Sequence, residues 1–415
     1  MSGKRASQVV VIGGGPAGSV AATLLAEAGV RTLILEREKF PRFHIGESLM
    51  TETYWTFERI GLLDSLKASD FPRKYSVQFV LENGKPSRPF YFYESNPHES
   101  AVTWQVDRAE LDSMLIDNAR AKGAEVMTGV NVERVLFDGT RATGVYATGA
   151  DGKGFEIESE VVVDATGLQS VLSRQLGILR KDPKLDKAAV YAHFEGGRRD
   201  PGIDEGATVI LHTKGNRGWF WYIPLSRNRA SVGVVGSAED LIKGRGKPES
   251  ILDDEIEGCT GVKERLEMAS RITPVHVTGD YTWRSTHCAG EGYVILGDAF
   301  GFIDPIYSSG VHLALKSGEL AADAIVEAFK VGDFSAERLG TFGKTLAGGM
   351  EALRKLVYAF YTPGFSFANF VAQHPEHRPK LVQLLVGDVF REPIRDIFEA
   401  MGEMCDLPDE MPLGM

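Results

Sequence analysis

The 415-residue sequence predicts an α/β fold that begins with a strand–helix–strand unit. Three observations support this prediction. An apolar run ends at Ile12 in a glycine-rich turn, sequence of helical character follows the turn, and a second apolar run ends at Glu36. Strand, glycine turn, helix, strand and acid in this order are much more specific than a glycine turn alone, and together they predict a dinucleotide-binding unit.

The glycine-rich turn carries the spacing G-x-G-x-x-G at Gly13, Gly15 and Gly18. In this pattern the first glycine permits a tight turn, the second lets the backbone approach a pyrophosphate, and the third lets helix and strand pack closely. The free N–H groups at the start of the helix and its positive dipole end then face the phosphates. Glu36 follows close to the distance expected for a carboxylate that accepts hydrogen bonds from ribose hydroxyls.

Composition places the chain among ordinary globular proteins and excludes some partners. Apolar residues make up 43% of the chain and charged residues 25%. The net charge of −11 and the lack of a basic block argue against nucleic acid as a partner. Three scattered cysteines predict neither a disulfide framework nor a zinc site, and they indicate a reducing cytoplasm. We expect the one close histidine pair, His374 and His377, to lie in a solvated turn and to bind no metal.

One apolar stretch, residues 9–30, has the hydropathy of a signal peptide or a membrane span. Its three glycines and its proline suit a strand-to-helix turn instead. We therefore expect neither a targeting role nor a membrane-spanning role for it.

Periodicity and turn residues predict the remaining elements. Helical spacing predicts helices near residues 48–66, 108–122 and 309–330, and it predicts that the last eighty residues are helical. Strand patterns cover residues 74–92, 124–135, 155–163 and 292–298. Residues 190–282 are rich in strands and turns, and we expect a separate antiparallel sheet there.

The order of elements indicates that a second sheet interrupts the nucleotide-binding part. We expect a discontinuous nucleotide-binding domain, a sheet domain for the substrate and a helical C-terminal region. Their predicted bounds are residues 1–70, 105–175 and 285–335 for the first, residues 71–104 and 176–284 for the second, and residues 336–415 for the third.

Three further segments fit a flavin dinucleotide. Gly167 follows a strand that ends at Asp164, and a glycine there lets the backbone approach the cofactor. Asp298 follows a later strand, where it could bind ribityl hydroxyls or order water at the pyrophosphate. Arg108 begins a helix and offers a fork of donors to phosphate or ribityl oxygens. The helix near Gly310 would aim its N–H groups at the pyrimidine edge of the flavin, which is negatively charged when reduced.

This order of segments resembles the glutathione-reductase-type FAD fold, in the branch that contains aromatic hydroxylases, geranylgeranyl reductases and flavin-dependent halogenases. The resemblance covers about residues 8–330. It implies an FAD-binding Rossmann-like domain beside an antiparallel substrate sheet. The cofactor contacts that we expect on this basis are Gly13, Gly15, Ala17, Gly18, Glu36, Arg37, Glu47, Ser48, Arg108, Val132, Asp164, Gly167, Asp298, Gly310 and Val311.

A tryptophan motif resembles the mark of the flavin-dependent halogenases within this branch. The pattern W-x-W-x-I-P is complete at Trp219, Trp221, Ile223 and Pro224. Residues two apart on a strand share a face, so the two indoles would form a wall. In the family this wall keeps the organic substrate away from the flavin, so that the oxidant meets halide instead. The alternative is a buried strand that packs two large residues against the core.

A second motif, F-x-x-P-x-x-S-x-G, matches the family at Phe302, Pro305, Ser308 and Gly310. The resemblance implies a catalytic role for Ser308 and halide binding by the backbone N–H groups of Ser309 and Gly310. The alternative is a plain helix start with a serine cap, and both roles are compatible.

Lys74 resembles the active-site lysine of the family, because it begins a strand downstream of the segment Gly46-Glu47-Ser48. Two roles are open. A neutral amine would capture hypohalous acid as a haloamine, which requires burial to lower its pKa. An ammonium would instead donate a hydrogen bond that makes the halogen more electrophilic. We expect the neighbouring Arg73 to be the surface residue.

Tyr307 replaces the glutamate that halogenases of free indoles carry in the second motif. Tyrosine is a poor base at neutral pH. The chain is also shorter than those enzymes. In both features it resembles the subgroup that acts on phenols and pyrroles, often on a carrier protein. Residues 357–370 are dense in aromatic side chains. They could line a substrate entrance or pack onto the sheet domain, and packing is the expectation.

The resemblance implies a halogenase that takes FADH2 from a separate reductase and uses O2 with chloride or bromide. The substrate would be an electron-rich aromatic ring of the phenol or pyrrole type. The alternatives are an FAD-dependent aromatic or polyketide monooxygenase, a reductase of the geranylgeranyl type, and a flavin-binding carrier-docking protein without turnover.

Overall fold

A computed structural model describes residues 5–94, 96–279, 281–391, 394 and 396–414 of the chain. The strands within these residues are β1 (Arg5–Ile12), β2 (Thr32–Glu36), β3 (Arg73–Lys74), β4 (Ser76–Val80), β5 (Phe90–Tyr91), β6 (Thr103–Trp104), β7 (Glu125–Thr128), β8 (Asn131–Asp138), β9 (Arg141–Thr148), β10 (Gly154–Asp164), β11 (Leu179–Lys181), β12 (Lys187–Glu195), β13 (Thr208–His212), β14 (Gly218–Leu225), β15 (Arg229–Ser237), β16 (Ser270–Arg271), β17 (His276–Gly279), β18 (Trp283–Ser285), β19 (Ala289–Gly290) and β20 (Tyr293–Ile295).

The helices within the same residues are α1 (Pro16–Glu27), α2 (Thr53–Arg59), α3 (Leu63–Lys67), α4 (Arg108–Ala121), α5 (Val171–Gln175), α6 (Ala238–Leu241), α7 (Pro248–Gly258), α8 (Thr260–Leu266), α9 (Ser309–Val331), α10 (Ala336–Leu339), α11 (Gly343–Tyr361), α12 (Phe367–Gln373), α13 (Arg378–Val386) and α14 (Asp396–Gly402). Within the described residues, no helix is long and apolar enough to cross a membrane.

The first sheet has the strand order β19-β20-β10-β1-β2-β7, and β9 and β8 extend it from β10. β1 lies near its centre and runs parallel to β10 and β2. Its residues Val9, Val10 and Val11 are completely buried. An apolar run of this kind is typical of a parallel strand that is covered on both faces. The apolar stretch 9–30 is therefore the end of β1 followed by α1.

Two glycines let this layer pack unusually closely. A Cβ on Gly18 of α1 would lie 2.1 Å from the carbonyl oxygen of Gly13. A Cβ on Gly318 of α9 would lie 2.5 Å from the carbonyl oxygen of Ala17. Since no side chain fits at these distances, α1 rests directly on the end of β1, and α9 rests directly on α1.

The second sheet has the order β16-β12-β15-β14-β13-β4-β5, with β17 also paired to β12. Its pairs are antiparallel except for β13 and β4, which are parallel. The expected antiparallel sheet of residues 190–282 is observed, and the parallel pair forms where β4 joins β13 from an earlier segment of the chain. The residues of β14 alternate between two faces, with Phe220 and Tyr222 in the sheet's own core and Trp219 and Trp221 on the side of the first sheet.

The structure corrects two predictions: one predicted helix is divided, and one segment predicted as strands also contains helices. The segment near residues 48–66 forms two short helices, α2 and α3, separated at Gly61, whose φ of 72° ends the first helix. The strand-rich segment 190–282 also contains α6, α7 and α8, which carry Leu241, Ile251 and Val262, respectively, into the core beside the second sheet. The hairpin turn between β14 and β15 contains Arg227 and Asn228, and both residues have positive φ.

The C-terminal helices α10 to α14 follow the predicted helical region. The aromatic stretch packs on the second sheet, where the ring of Phe360 stacks on His212 of β13 with centroids 5.9 Å apart. Farther along, the rings of His374 and His377 pack against Phe370. No group of three residues able to ligate a metal occurs among the residues that the structure describes.

Candidate active site

A long cleft runs between the two sheets, from Val132 at one end to Trp219 and Trp221 at the other. Sixteen of the residues predicted for the site line it. They are Gly13, Gly15, Ala17, Glu36, Arg37, Glu47, Ser48, Arg108, Val132, Gly167, Asp298, Ser308, Gly310 and Val311, together with both tryptophans. The predicted residues Gly18, Lys74, Asp164 and Ser309 are not among the residues of the cleft wall.

The glycine turn forms one wall of the cleft. Gly13 has a φ of 103°, and a Cβ there would lie 2.4 Å from the carbonyl oxygen of Ala165. Gly15 is different, because its Cβ would meet only Arg42 Nη2 at 3.6 Å. The first-turn N–H groups of α1 have no partner within the helix. They face the cleft at Gly15, where the backbone leaves room for a pyrophosphate.

Glu36 closes the end of this wall. It ends β2 and is 5% exposed. Its Oε2 accepts the N–H of Gly14 at 2.8 Å, and its Oε1 accepts the N–H of Glu38 at 2.9 Å. These two bonds hold the carboxylate in the cleft wall, as a ribose ligand requires. Arg37 beside it is half exposed and lies 3.5 Å from Glu38.

Arg108 is less free than its predicted role required. Its Nε and Nη2 donate to the two carboxylate oxygens of Asp112 at 2.9 and 3.1 Å, and its Nη1 donates to the carbonyl of Ile45 at 2.7 Å. The fork therefore binds Asp112, one turn along α4, and leaves only the remaining N–H groups for a cofactor. Asp107, whose side chain accepts the N–H of Ala109, caps the helix.

Arg42 is a cleft residue that the sequence analysis missed. Its Nη1 lies 3.2 Å from Asp112, and its Nη2 lies 3.9 Å from Glu36 and faces the glycine turn. Its Nε is buried and has no hydrogen-bond partner among the described residues. The signal that could have found it is a basic residue shortly before the segment that contains Glu47.

His44 lies in the wall between these arginines. Burial, together with the charge of Arg108, lowers the pKa of this imidazole to about 4. The ring is therefore neutral at physiological pH. A neutral ring adds no third positive charge beside the two guanidinium groups.

Asp164 supports the cleft from outside its wall, which corrects its predicted role as a cofactor contact. One carboxylate oxygen accepts the N–H and the hydroxyl of Thr166 at 3.0 and 2.6 Å. The other accepts the N–H of Leu172 at 2.8 Å. Both oxygens are thus used to hold the turn in which Gly167, with a φ of 62°, lines the cleft.

Asp298 lies in the wall near the start of α9. Burial raises the pKa of its carboxyl to about 6, against the opposing effect of the Arg108 charge. Its protonation therefore changes close to neutral pH.

The second motif forms the turn before α9. Phe302, Pro305, Ser308 and Gly310 all line the cleft, whereas Ser309 does not. Ser308 has a φ of 59° and makes no side-chain hydrogen bond to the helix, so the alternative of a serine cap was wrong. The N–H groups of the first turn of α9 have no partner within the helix, and Gly310 and Val311 of this turn line the cleft.

Trp219 and Trp221, which we call the tryptophan barrier, close the other side of the cleft. Their ring centroids lie 6.2 Å apart at an angle of 54°. Trp219 is 2% exposed and Trp221 is 6% exposed, so they are both core residues and cleft wall. Their indole N–H groups donate to Tyr361 at 2.9 Å and to Ser231 at 3.1 Å, respectively.

Lys74 is buried behind Ser48. It is 3% exposed, and its Nζ donates to Ser48 Oγ at 2.9 Å and to the carbonyl of Leu49 at 3.0 Å. Ser48 Oγ also lies 2.9 Å from Thr208 Oγ1, and both hydroxyl residues line the cleft. Burial alone lowers the pKa of the Lys74 amine to about 7. The expected surface residue Arg73 is partly buried and donates to the carbonyl of Lys67 at 2.6 Å.

Glu47 completes the polar wall. Its Oε1 lies 2.5 Å from Nε2 of His193, and its Oε2 is buried without a hydrogen-bond partner among the described residues. Unpaired polar atoms on Glu47 and Arg42, and a glycine turn with room for phosphate, fit a bound FAD. Glu36, Arg42, Arg108 and the glycine turn would hold its dinucleotide part.

The comparisons with known proteins agree with this geometry. A model of the family "FAD binding domain" matches residues 6–330, which is more than half of the chain. The fold and the cleft therefore define an FAD-dependent flavoprotein.

The relatives narrow this class. The chain is 30% identical to 1H-pyrrole-2-carbonyl-(peptidyl-carrier protein) chlorinase of Pseudomonas fluorescens, over 97% of this chain and 94% of that protein. It is 32% identical to the corresponding brominase of Pseudoalteromonas luteoviolacea, over 94% of each. Among solved structures, the flavin-dependent brominase Bmp2 matches with a TM-score of 0.86 and 29% identity, over 96% of this chain and 98% of that one.

The myxobacterial chondrochloren halogenase CndH matches with a TM-score of 0.80 and 31% identity, over 99% of this chain and all of that one. The chain belongs to the flavin-dependent halogenases. It is an FAD-dependent enzyme, and this membership favours the predicted halogenase over the monooxygenase and reductase alternatives.

We predict that Arg42→Ala weakens FAD binding about tenfold, because a buried guanidinium that neutralises phosphate charge is lost. Arg31→Ala is the matched control and should change the affinity by less than about threefold, since Arg31 is exposed outside the cleft wall and exposed charges are screened by water. Titration of the purified apoproteins with FAD, followed by flavin fluorescence, measures both. Equal affinities of Arg42→Ala and the wild type would show that Arg42 does not contact the cofactor.

Proposed function

We propose that the chain halogenates an electron-rich aromatic ring, with Lys74 as the residue that passes the halogen to the substrate. The observation that carries this proposal is the position of Lys74. It is a fully buried amine without a carboxylate in hydrogen-bond contact among the described residues, and only the Ser48 side chain links it to the cleft. Isolated buried lysines are rare in proteins, which supports a chemical role.

Different residues of the cleft would carry out successive steps of the reaction at different places. Bound as FADH2, the flavin supplies activation of O2 and oxidation of the halide. The N–H groups of Ser309 and Gly310 would hold the halide at the positive end of α9. The tryptophan barrier would exclude organic molecules from this compartment. Hypohalous acid, HOX, then leaves past the Ser48 hydroxyl and reaches the amine of Lys74.

Transfer of the halogen from HOX to Lys74 requires a neutral amine. The nitrogen lone pair forms a bond to the halogen of HOX, the oxygen leaves as hydroxide and takes the displaced amine proton, and the products are a haloamine and water. The aromatic ring then takes the halogen, loses its own proton and restores the amine. A pKa near 7 supports this role, because about half of the amine is neutral at that pH. The hydrogen-bonding role of an ammonium predicts the opposite pH dependence.

A pyrrole or phenol fits the site as the substrate ring. Tyr307 stands where indole halogenases carry a glutamate, and its hydroxyl donates to the carbonyl of Leu356 at 3.3 Å. Burial raises the pKa of this phenol well above its usual range, so it cannot act as a base. An electron-rich ring loses its proton with little help. The relatives whose names specify pyrrole on a carrier protein support the same substrate class and a carrier-tethered form.

A separate reductase would supply FADH2, as the resemblance to the flavin-dependent halogenases implies. We place the reaction in the cytoplasm. Three free, buried cysteines, Cys259, Cys288 and Cys405, support a reducing compartment.

We predict that Lys74→Met lowers halogenated product about 100-fold or more while FADH2 oxidation continues, since only the transfer step is lost. The assay supplies FADH2, O2, bromide and a panel of pyrroles and phenols, free and carrier-bound, and detects products by mass spectrometry. Lys67→Met is the control, because the Lys67 side chain is 35% exposed, pairs with Glu99 and does not belong to the cleft wall. Halogenation by Lys74→Met would refute the relay, and an oxygenated product without halide would indicate a monooxygenase.

We predict that the rate of halogen transfer in a single turnover rises with pH through about 7. The folded-state pKa of Lys74 lies below the usual 10.5, so the neutral amine is populated above about pH 7 and lost below it. Rapid-quench measurement with pre-reduced FAD separates this step from flavin reduction, and a range from about pH 5 to about pH 9 extends about two units on either side of the pKa. A rate that falls through the same range would support the ammonium role instead.

A further inference from the structure

The two indoles of the tryptophan barrier are anchored to different parts of the protein. Trp221 donates its N–H to Ser231, which lies on the neighbouring strand β15. Trp219 donates its N–H to the hydroxyl of Tyr361, the last residue of α11. This helix lies beyond the segment 6–330 that matches the FAD-binding family. One half of the barrier thus depends on the C-terminal region.

The hydroxyl of Tyr361 also binds a second residue, Asp304. Its hydroxyl donates to Oδ2 of Asp304 at 3.1 Å, and Oδ1 of Asp304 accepts the N–H of Ile306 at 3.0 Å. A tyrosine hydroxyl has one proton, so donation to Asp304 leaves its lone pairs for the indole N–H of Trp219. The chain of bonds therefore has one direction, from indole to phenol to carboxylate.

Lys187 of β12 stabilises this arrangement. Its Nζ lies 3.9 Å from the centroid of the Tyr361 ring. Burial raises the pKa of Asp304 to about 6, and the positive charge of Lys187 opposes that rise. The acceptor of the Tyr361 proton is therefore a carboxylate at neutral pH. Asp304 also belongs to the turn of the second motif, between Phe302 and Pro305.

We propose that Tyr361, held by Asp304, is a positioning residue that fixes the orientation of Trp219 and so closes the tryptophan barrier. This inference rests on the proposed function. A buried indole N–H without an acceptor keeps the full cost of its lost hydration. Without the Tyr361 hydroxyl, Trp219 therefore turns or admits water. Hypohalous acid then escapes to solvent before it reaches Lys74.

Tyr361→Phe tests the proposal, because it removes only the hydroxyl. We expect halogenated product per FADH2 consumed to fall about fivefold, the equivalent of one hydrogen bond, with free hypohalous acid rising to match. The rate of FADH2 consumption should change by less than about twofold. Tyr358→Phe is the control on the same helix, since its hydroxyl donates to Asp182 instead. An unchanged yield in Tyr361→Phe, or an equal loss in Tyr358→Phe, would overturn the proposal.

A double-mutant cycle with Trp219→Phe shows whether the effect passes through the indole. The tryptophan fine structure at the long-wavelength edge of the near-ultraviolet circular dichroism spectrum, where tyrosine does not absorb, should change with Tyr361→Phe in the wild-type apoprotein and stay constant in the Trp219→Phe background. A similar change in both backgrounds, or none in either, would refute the positioning role. If the wild type halogenates nothing in the panel, the proposed function fails, and this spectroscopic cycle still decides the role of Tyr361.

Discussion

Close backbone contacts at three glycines fix the geometry on which the cleft depends. Gly13 meets the backbone of Ala165, Gly18 meets that of Gly13, and Gly318 meets that of Ala17, each at a distance that no Cβ tolerates. Through these contacts α1 sits on β1 and β10, and α9 sits on α1. The starts of both helices therefore open onto one cleft. A chain with a net charge of −11 can bind phosphate and halide there, because backbone N–H groups and helix dipoles supply the positive potential.

Among the described residues, some charged side chains around the cleft have an ionic partner and others have none. The paired groups suit cofactor binding, and the unpaired groups suit a chemical role. Arg108 and Arg42 share the carboxylate of Asp112, so their positions are fixed and their charge is permanent. Lys74 is buried and Asp298 is partly buried, each without such a partner in the described structure, and desolvation moves the pKa of each toward neutrality, to about 7 and about 6. Fixed charges suit the holding of a cofactor, whereas groups that titrate near neutral pH suit proton and halogen transfer.

Sequence reasoning found the parts of the site whose function requires a residue type at a fixed spacing. The glycine turn and the paired tryptophans are of this kind, and so are the elements β1, α1, β2 and α9. It missed Arg42 and Tyr361, because their roles arise from contacts between distant segments that no local pattern records. It misplaced Asp164, since a carboxylate that ends a strand can bind its own turn as readily as a ligand. The proposed domain bounds stay a prediction.

Asp304 links the turn of the second motif to the tryptophan barrier. The carboxylate binds the N–H of Ile306 within the turn and the hydroxyl of Tyr361 beside Trp219, so neither part can shift without breaking a buried hydrogen bond. Such a break leaves an unsatisfied buried group, which costs about 1–3 kcal/mol. One side chain therefore fixes the relative position of two parts of the site. These are the place where halide would be oxidised and the wall that would exclude organic molecules. A barrier anchored only within its own sheet, as Trp221 is, would lack this link.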